Sequence, residues 1–175
     1  MVVKGQADRD PETYVIPDTR EGWVESVRML IDSYFTGGTP VEFDYSNVRP
    51  AGDPIKGFGG IASGPEPLMD LHESLHDVLG KNAGKDLSVR TIVDIQNHIG
   101  KCVVAGNVRR TAEIVFGDPY DIEYIDLKNY KKNPEREMFG WTSNNSIYAE
   151  LGMDYEDASD RINANGEPGF AWLEN

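Results

Sequence analysis

Between Ile99 and Ile114 the chain sets the apolar run Cys102 to Ala105, the pair Gly106-Asn107, Val108, and the adjacent arginines Arg109 and Arg110 within a few residues. Gly106 can adopt positive φ and bring backbone N–H groups up to an anion, and Asn107 tolerates the same left-handed region. A guanidinium adds forked donors that match phosphate oxygens. The chemistry this permits is phosphate binding, and the plain alternative on local sequence is a hairpin turn with two solvated arginines. A second basic pair, Arg49 and Lys56, flanks a Gly/Pro-rich stretch. Ser143-Asn144-Asn145-Ser146 reads either as a turn closed by its own side chains or as a polar lip presented to a ligand.

His72-Glu73-Ser74-Leu75-His76 fits the HExxH pattern, which on a helix puts two imidazoles on one face as zinc ligands with the glutamate as base. This is the zinc metallopeptidase reading. Against it, Asp77 adds a charge inside the motif's helix, no third histidine follows at short spacing, and only His98 remains elsewhere. The competing expectation is two partly exposed helix histidines, with Asp70, Glu73, Asp77 and Asp94 as solvated helix acids. Cys102 is the only cysteine, so no internal disulfide or cysteine-based zinc site can form, and a buried, unreactive thiol is expected. Neither a P-loop nor a nucleophile elbow occurs.

With 30 acidic against 17 basic residues the net charge is −13, which argues against binding a nucleic-acid backbone. The basic residues form two small islands, of a size that suits a nucleotide. No apolar run approaches the roughly 20 residues of a membrane span, and the first residues lack the pattern of a signal peptide. A cytoplasmic protein without a membrane partner is expected, and 175 residues suit a single unit.

The elements that must position these residues follow from periodicity. Thr13 to Ile16 reads as a strand. Asp18, three residues before Glu21, reads as the capping box of a helix on which Trp23, Val27, Leu30, Ile31 and Tyr34 recur before Gly37-Gly38. Val41 to Tyr45 alternates as a strand, and 46–67, with five glycines and four prolines, is a long functional loop. A second helix is expected from Glu66 to Leu79, stopped by Gly80. A third is capped by Ser88, faces Val89, Ile92, Val93 and Ile99 inward, and is closed by Gly100. Cys102 to Ala105 and Ala112 to Phe116 read as strands, Asp118 to Lys128 as a helix, the basic Lys128 to Arg136 as a loop, and Ser146 to Tyr148 as a strand. Strands alternating with helices imply an α/β architecture with mostly parallel strands. The first strand begins close to Met1 and the apolar Gly169 to Leu173 ends without a cap, so the chain is expected to be cut from a larger fold.

Taken in order, Asn47 to Gly57, Gly60 to Pro65, Ile99 to Ile114, Ser143 to Ser146 and Gly166 to Phe170 resemble the large-subunit core of ribonucleotide reductases. The resemblance is closest to the adenosylcobalamin-dependent, monomeric ribonucleoside-triphosphate reductase class. It covers nearly all of this chain and about a quarter of a typical member. It implies a ten-stranded α/β barrel, of which 1–175 would be a single early segment carrying two specificity-loop regions, about 46–67 and 101–113. The activity implied is radical conversion of ribonucleoside triphosphates to 2′-deoxyribonucleotides, serving deoxyribonucleotide biosynthesis and DNA replication.

By the same resemblance, Arg49 and Lys56 hold the phosphates of an allosteric nucleoside triphosphate effector, with Mg. Gly106, Asn107, Val108, Arg109 and Arg110 form the loop that relays effector identity to substrate, and Ser63, Ser143 and Asn144 form a substrate lip. The family's radical-forming cysteine, redox cysteine pair and C-terminal pair have no counterpart in a chain with one cysteine. No catalytic residue is therefore expected here, and adenosylcobalamin would sit outside this chain. The partners implied are the remaining reductase segments or chains, the nucleotide substrate, a deoxynucleotide effector and a thioredoxin-type reductant. Alternatives to this reading are the zinc peptidase and a non-catalytic nucleotide-binding regulatory module.

Overall fold

The structure, a computed structural model, describes residues 1–55, 59–105 and 110–172. Length suggested one unit, but the contacts gather into two compact units, Met1–Thr91 with Cys102–Arg110 and Ile92–Lys101 with Thr111–Asn175.

The first unit is built on a parallel β-α-β turn of chain: β1 (Glu12–Val15), α1 (Arg20–Thr36) and β2 (Val41–Asp44), with Glu12 in register with Val41. The helix starts one residue later than the spacing of Asp18 and Glu21 predicts. Thr19 is the N-cap and accepts from the Gly22 N–H at 3.0 Å, while Asp18 is left to pair with Arg49. Its end at Gly37, with φ of 72°, is as expected. Leu30 and Tyr34 are buried as the periodicity requires, but the same face carries Gly22, Ser26 and Ser33. Gly22 packs on Pro17 and Ser33 accepts from Gln6, while Ser26 meets His72 of α2 (Glu66–Lys81), whose Leu68, Leu71, Leu75 and Leu79 are buried in the core. α2 runs on through Gly80 rather than stopping there. At the N-terminus, Val3 exchanges backbone hydrogen bonds with Gly84 and Lys85, pinning the chain start to the turn after α2.

α3 (Val89–Val104) is capped by Ser88, whose hydroxyl accepts from the Thr91 N–H. It continues past Gly100, so Cys102 to Val104 are its last turn and not a strand. The β-branched Val103 and Val104 suggested a strand, and propagation of an established helix overrides that weak preference. The strand expected before Gly106-Asn107 is therefore the end of a helix, and that pair itself lies outside the described residues. Ile92, expected to face inward, is exposed.

In the second unit β3 (Glu113–Gly117), β4 (Ser143–Ala149) and β5 (Gly169–Trp172) form a parallel sheet in that order. The expected helix over 118–128 shrinks to α4 (Ile122–Ile125), and α5 (Glu156–Asn165) returns the chain to β5. Along β4, Ser143, Asn145, Ile147 and Ala149 are buried, and Asn144 and Tyr148 are exposed, the period-two pattern of a strand. The basic stretch Lys128 to Arg136 is not a solvated loop. Lys128 is buried and donates to the Ser143 carbonyl, and Arg136 has no exposed surface at all. Arg136 Nε donates to Asp94 Oδ1 at 2.7 Å, Nη2 to Asn97 Oδ1 at 3.0 Å, and Nη1 to the Leu127 carbonyl. Asp94 is thus a buried ion-pair partner and not a surface acid.

Replacing Arg136 by alanine strands the desolvated partners of its guanidinium. The expected loss of stability is about 3–5 kcal/mol, measured by urea unfolding.

Candidate functional site

A cleft of about 270 Å³ opens in the first unit. Its walls come from three places: the start of α1 (Asp18, Thr19, Arg20, Trp23, Val24), the loop after β2 (Val48, Arg49, Ile55, Ile61, Ala62, Ser63, Gly64) and the end of α3 (Cys102, Val103, Ala105). The described residues on either side of 56–58 pair with each other. Gly52 N–H donates to the Ala62 carbonyl at 3.0 Å, Ala62 N–H to the Asp53 carbonyl at 2.8 Å, and Pro54 bridges Ile61. Gly64 closes the loop at φ +81°, where a Cβ would stand 2.3 Å from Glu66 Oε2 and 3.1 Å from the Ala51 nitrogen.

Arg49 is the charged group of this cleft best placed to meet a ligand. Its Nε donates to Asp18 Oδ2 at 2.7 Å, with the two side chains 34% and 32% exposed. Asp18 therefore aims the guanidinium, and its two terminal nitrogens have no partner among the described residues. The α1 N-terminus contributes in the same place. Thr19 satisfies the N–H groups of Gly22 and Trp23 and the Glu21 carboxylate that of Glu21, which leaves the N–H of Arg20 at the start of a 17-residue helix. Trp23, Val24, Val48, Ile55 and Ile61 supply apolar wall. An apolar cleft with a guanidinium and a helix N-terminus suits a flat, partly apolar molecule that carries an anion.

Of the residues singled out in the sequence, Arg49 and Ser63 line this cleft. Ala105, the last described residue before 106–109, lines it too, and Arg110 on the far side of that segment is exposed. Lys56, Gly106, Asn107, Val108 and Arg109 lie outside the described residues. Ser143 and Asn144 belong to the other unit. The Ser143 hydroxyl is buried, accepting from Asn97 and donating to Asn145, so it presents nothing to a ligand, whereas Asn144 is exposed. What the sequence did not reveal is Asp18 as the group that orients Arg49, because its spacing to Glu21 pointed to a cap.

The HExxH residues make no metal site. His72 is buried, with Nε2 3.0 Å from Ser26 Oγ and Nδ1 2.7 Å from Tyr45 Oη, and it stacks on Phe43 at 4.1 Å. Ser26 donates its own proton to the Trp23 carbonyl, so His72 donates from Nε2 and accepts the Tyr45 hydroxyl at Nδ1. His76 Nδ1 lies 2.7 Å from Tyr34 Oη, and Glu73 is exposed. Among the described residues no group of three or more His, Cys, Asp or Glu side chains could hold a metal ion. Burial holds the His72 imidazole down at about 4 and pushes the Tyr45 phenol up to about 12. The Cys102 thiol, half-buried, is pushed up to about 11 by burial and then by Asp70, so it is no ready nucleophile.

Residues 3–79 match the family described as B12-dependent ribonucleotide reductase, insertion domain. The chain is 59% identical over 162 residues to a probable adenosylcobalamin-dependent ribonucleoside-triphosphate reductase of Dictyostelium discoideum, covering 93% of this chain and 21% of that protein. It is 53% identical over 176 residues to the adenosylcobalamin-dependent ribonucleoside-triphosphate reductase of Euglena gracilis, covering 100% and 24%. Against the crystal structure of a B12-dependent (class II) ribonucleotide reductase it gives a TM-score of 0.82 at 35% identity, covering 98% of this chain and 24% of that one. The chain thus spans between a fifth and a quarter of the length of these proteins.

A buried neutral histidine makes stability depend on pH. The folded value of about 4 lies below the ordinary 6.5, so the unfolded chain takes up the proton first. Stability of the first unit is expected to be full above pH 6.5 and to fall as the pH drops towards about 4. Denaturant midpoints recorded across that range should show the fall, with a smaller slope in His72→Gln.

Proposed function

Because the chain belongs to the B12-dependent ribonucleotide reductase family, we propose that it is the nucleotide-reading segment of an enzyme that reduces ribonucleoside triphosphates to 2′-deoxyribonucleotides. The observation that carries this reading is the convergence of Arg49 and Ala105 on one cleft. Arg49 stands on the loop after β2, and Ala105 is the last residue before the segment that leads to Arg109 and Arg110. A ligand held at Arg49 therefore lies against the stem of the arginine loop.

In this account the cleft takes a deoxynucleoside triphosphate effector. Arg49, aimed by Asp18, and Lys56 hold its phosphates with Mg, and the N-terminus of α1 adds to the positive field. Trp23 and Ile61 offer apolar surface to a base. Gly106, Asn107, Val108, Arg109 and Arg110 relay effector identity to the substrate in this reading, with Arg109 reaching it, and Ser63 adds a polar contact. The exposed Arg20–Glu21 pair adds little, since both partners are more than two-thirds in solvent.

This chain does not hold the set of cysteines that the radical step and its turnover require, because its single cysteine, Cys102, cannot supply both a radical-forming thiol and a redox pair. Adenosylcobalamin, which supplies the radical chemistry in this reading, belongs with the rest of the reductase, as do the redox cysteines and the thioredoxin-type reductant that restores them. The segment would join them as part of the same protein or as a partner chain. No helix among the described residues is long and apolar enough to cross a membrane.

Titration calorimetry with deoxynucleoside triphosphates tests the assignment. Arg49→Ala should weaken binding by about 1.5–3 kcal/mol, the worth of a hydrogen bond to a charged group. Binding that is indifferent to Arg49 would place the nucleotide elsewhere and remove the reading.

A further inference from the structure

Gly100 sits inside α3, where glycine is less favourable than alanine. A glycine within a helix points to a close approach, and here the neighbour is Glu113, the first residue of β3. A Cβ at Gly100 would stand 2.1 Å from Glu113 Oε1 and 2.9 Å from Glu113 Cδ. The other carboxylate oxygen, Oε2, accepts from Asn97 Nδ2 at 3.2 Å. Asn97, fully buried one turn earlier on α3, donates from the same nitrogen to Ser143 Oγ at 2.9 Å. It is itself held in place, since its Oδ1 accepts from Arg136 Nη2 at 3.0 Å and its carbonyl accepts from Thr142 Oγ1 at 3.2 Å. Burial raises the Glu113 carboxyl, and the hydrogen bond from Asn97 opposes that shift.

These contacts tie the two stems of one loop to each other. α3 ends at Val104 and β3 begins at Glu113, and Gly100 and Asn97 on the outgoing stem meet Glu113 on the returning one. We propose that Asn97, Gly100 and Glu113 form a stem clamp and act as positioning residues for the selectivity of that loop towards the substrate base. The inference rests on the reading of 105–112 as the loop that relays the effector. With Asn97 and Gly100 held against Glu113, the two stems keep a fixed separation, so a change at one is passed to the other instead of being absorbed by moving stems. Gly100 is the clamp's steric half, because any side chain there would displace the carboxylate. Asn97 is its polar half.

The test uses the complete reductase that contains this segment and reads the ratio of kcat/KM for two ribonucleoside triphosphates, with and without a deoxynucleoside triphosphate effector. In Gly100→Ala and Glu113→Ala the effector-driven selectivity should fall by about 5-fold or more, while effector affinity stays near that of the parent. Glu113→Gln keeps an acceptor for Asn97 and should retain selectivity. The double variant Gly100→Ala/Glu113→Ala should be no worse than Glu113→Ala alone, because the added methyl then has room. Loss of stability by itself would not move a selectivity ratio, and Glu113→Ala and Glu113→Gln keep the test open if Gly100→Ala does not fold. Unchanged selectivity in Glu113→Ala, or equal loss in Glu113→Ala and Glu113→Gln, overturns the clamp. Arg49→Ala, run beside them, reports on the effector cleft separately, because it lowers effector affinity if that reading holds, whatever the clamp variants do.

Discussion

The guanidinium of Arg136 is buried without any exposed surface, and a charge in that position is tolerable only if nearly every donor finds an acceptor. Three acceptors meet it: Asp94 and Asn97 on α3, one turn apart, and the carbonyl of Leu127. Satisfying that one cation therefore fixes which face of 92–101 turns inward within the second unit and where the chain after α4 must run. It also fixes the amide of Asn97, whose remaining hydrogen bonds go to Glu113 and Ser143 at the first positions of β3 and β4. Lys128 extends the same logic. Its ammonium, with a proton affinity lowered by burial, is held by the Ser143 carbonyl and Glu167, next to where β5 begins. The starts of the three strands are thus organised around buried basic side chains.

The first unit is organised differently. Its α1–α2 contact uses small and polar residues, with His72 bridging Ser26 and Tyr45 and His76 meeting Tyr34. The neutral His72 is committed on both ring nitrogens, one to a helix and the other to the residue that follows β2. Tyr45 opens the stretch that leads to the cleft loop, so the packing of α2 and the start of that loop share one side chain. A spacing that would suit zinc serves here as an interior hydrogen-bond bridge.

How far the sequence could be read depended on the range of the interactions that decide each element. Local signals were legible: the Ser88 cap, the Gly37 stop, the apolar faces of α1 and α2, and the parallel α/β class. The capping error at Asp18 has a long-range cause, its partner Arg49 lying 31 residues away. The same holds for Arg136 and Asp94, 42 residues apart, which read singly as a solvated loop cation and a surface acid. Cys102 to Val104 looked like a strand because β-branched residues favour one in isolation, and Gly100 looked like a stop because nothing local announced that Glu113 occupies its missing side chain. α5, rich in polar residues, gave no apolar stripe to find. Of the candidate site, Arg49 and Ser63 were identified by type and come together, Ser143 proved to be structural, and the convergence of the loop after β2 with the end of α3 became visible only in three dimensions.

The central claim is that a nucleotide occupies the cleft walled by Arg49 and the last turn of α3. Cys102 is the chain's only cysteine and lines that cleft, so it is a built-in reporter. The most direct measurement is the rate of maleimide modification of Cys102 at alkaline pH, with and without a deoxynucleoside triphosphate. The account predicts that the nucleotide slows modification, and that Arg49→Ala removes the protection. A rate that does not change when nucleotide is added at saturating concentration would contradict it.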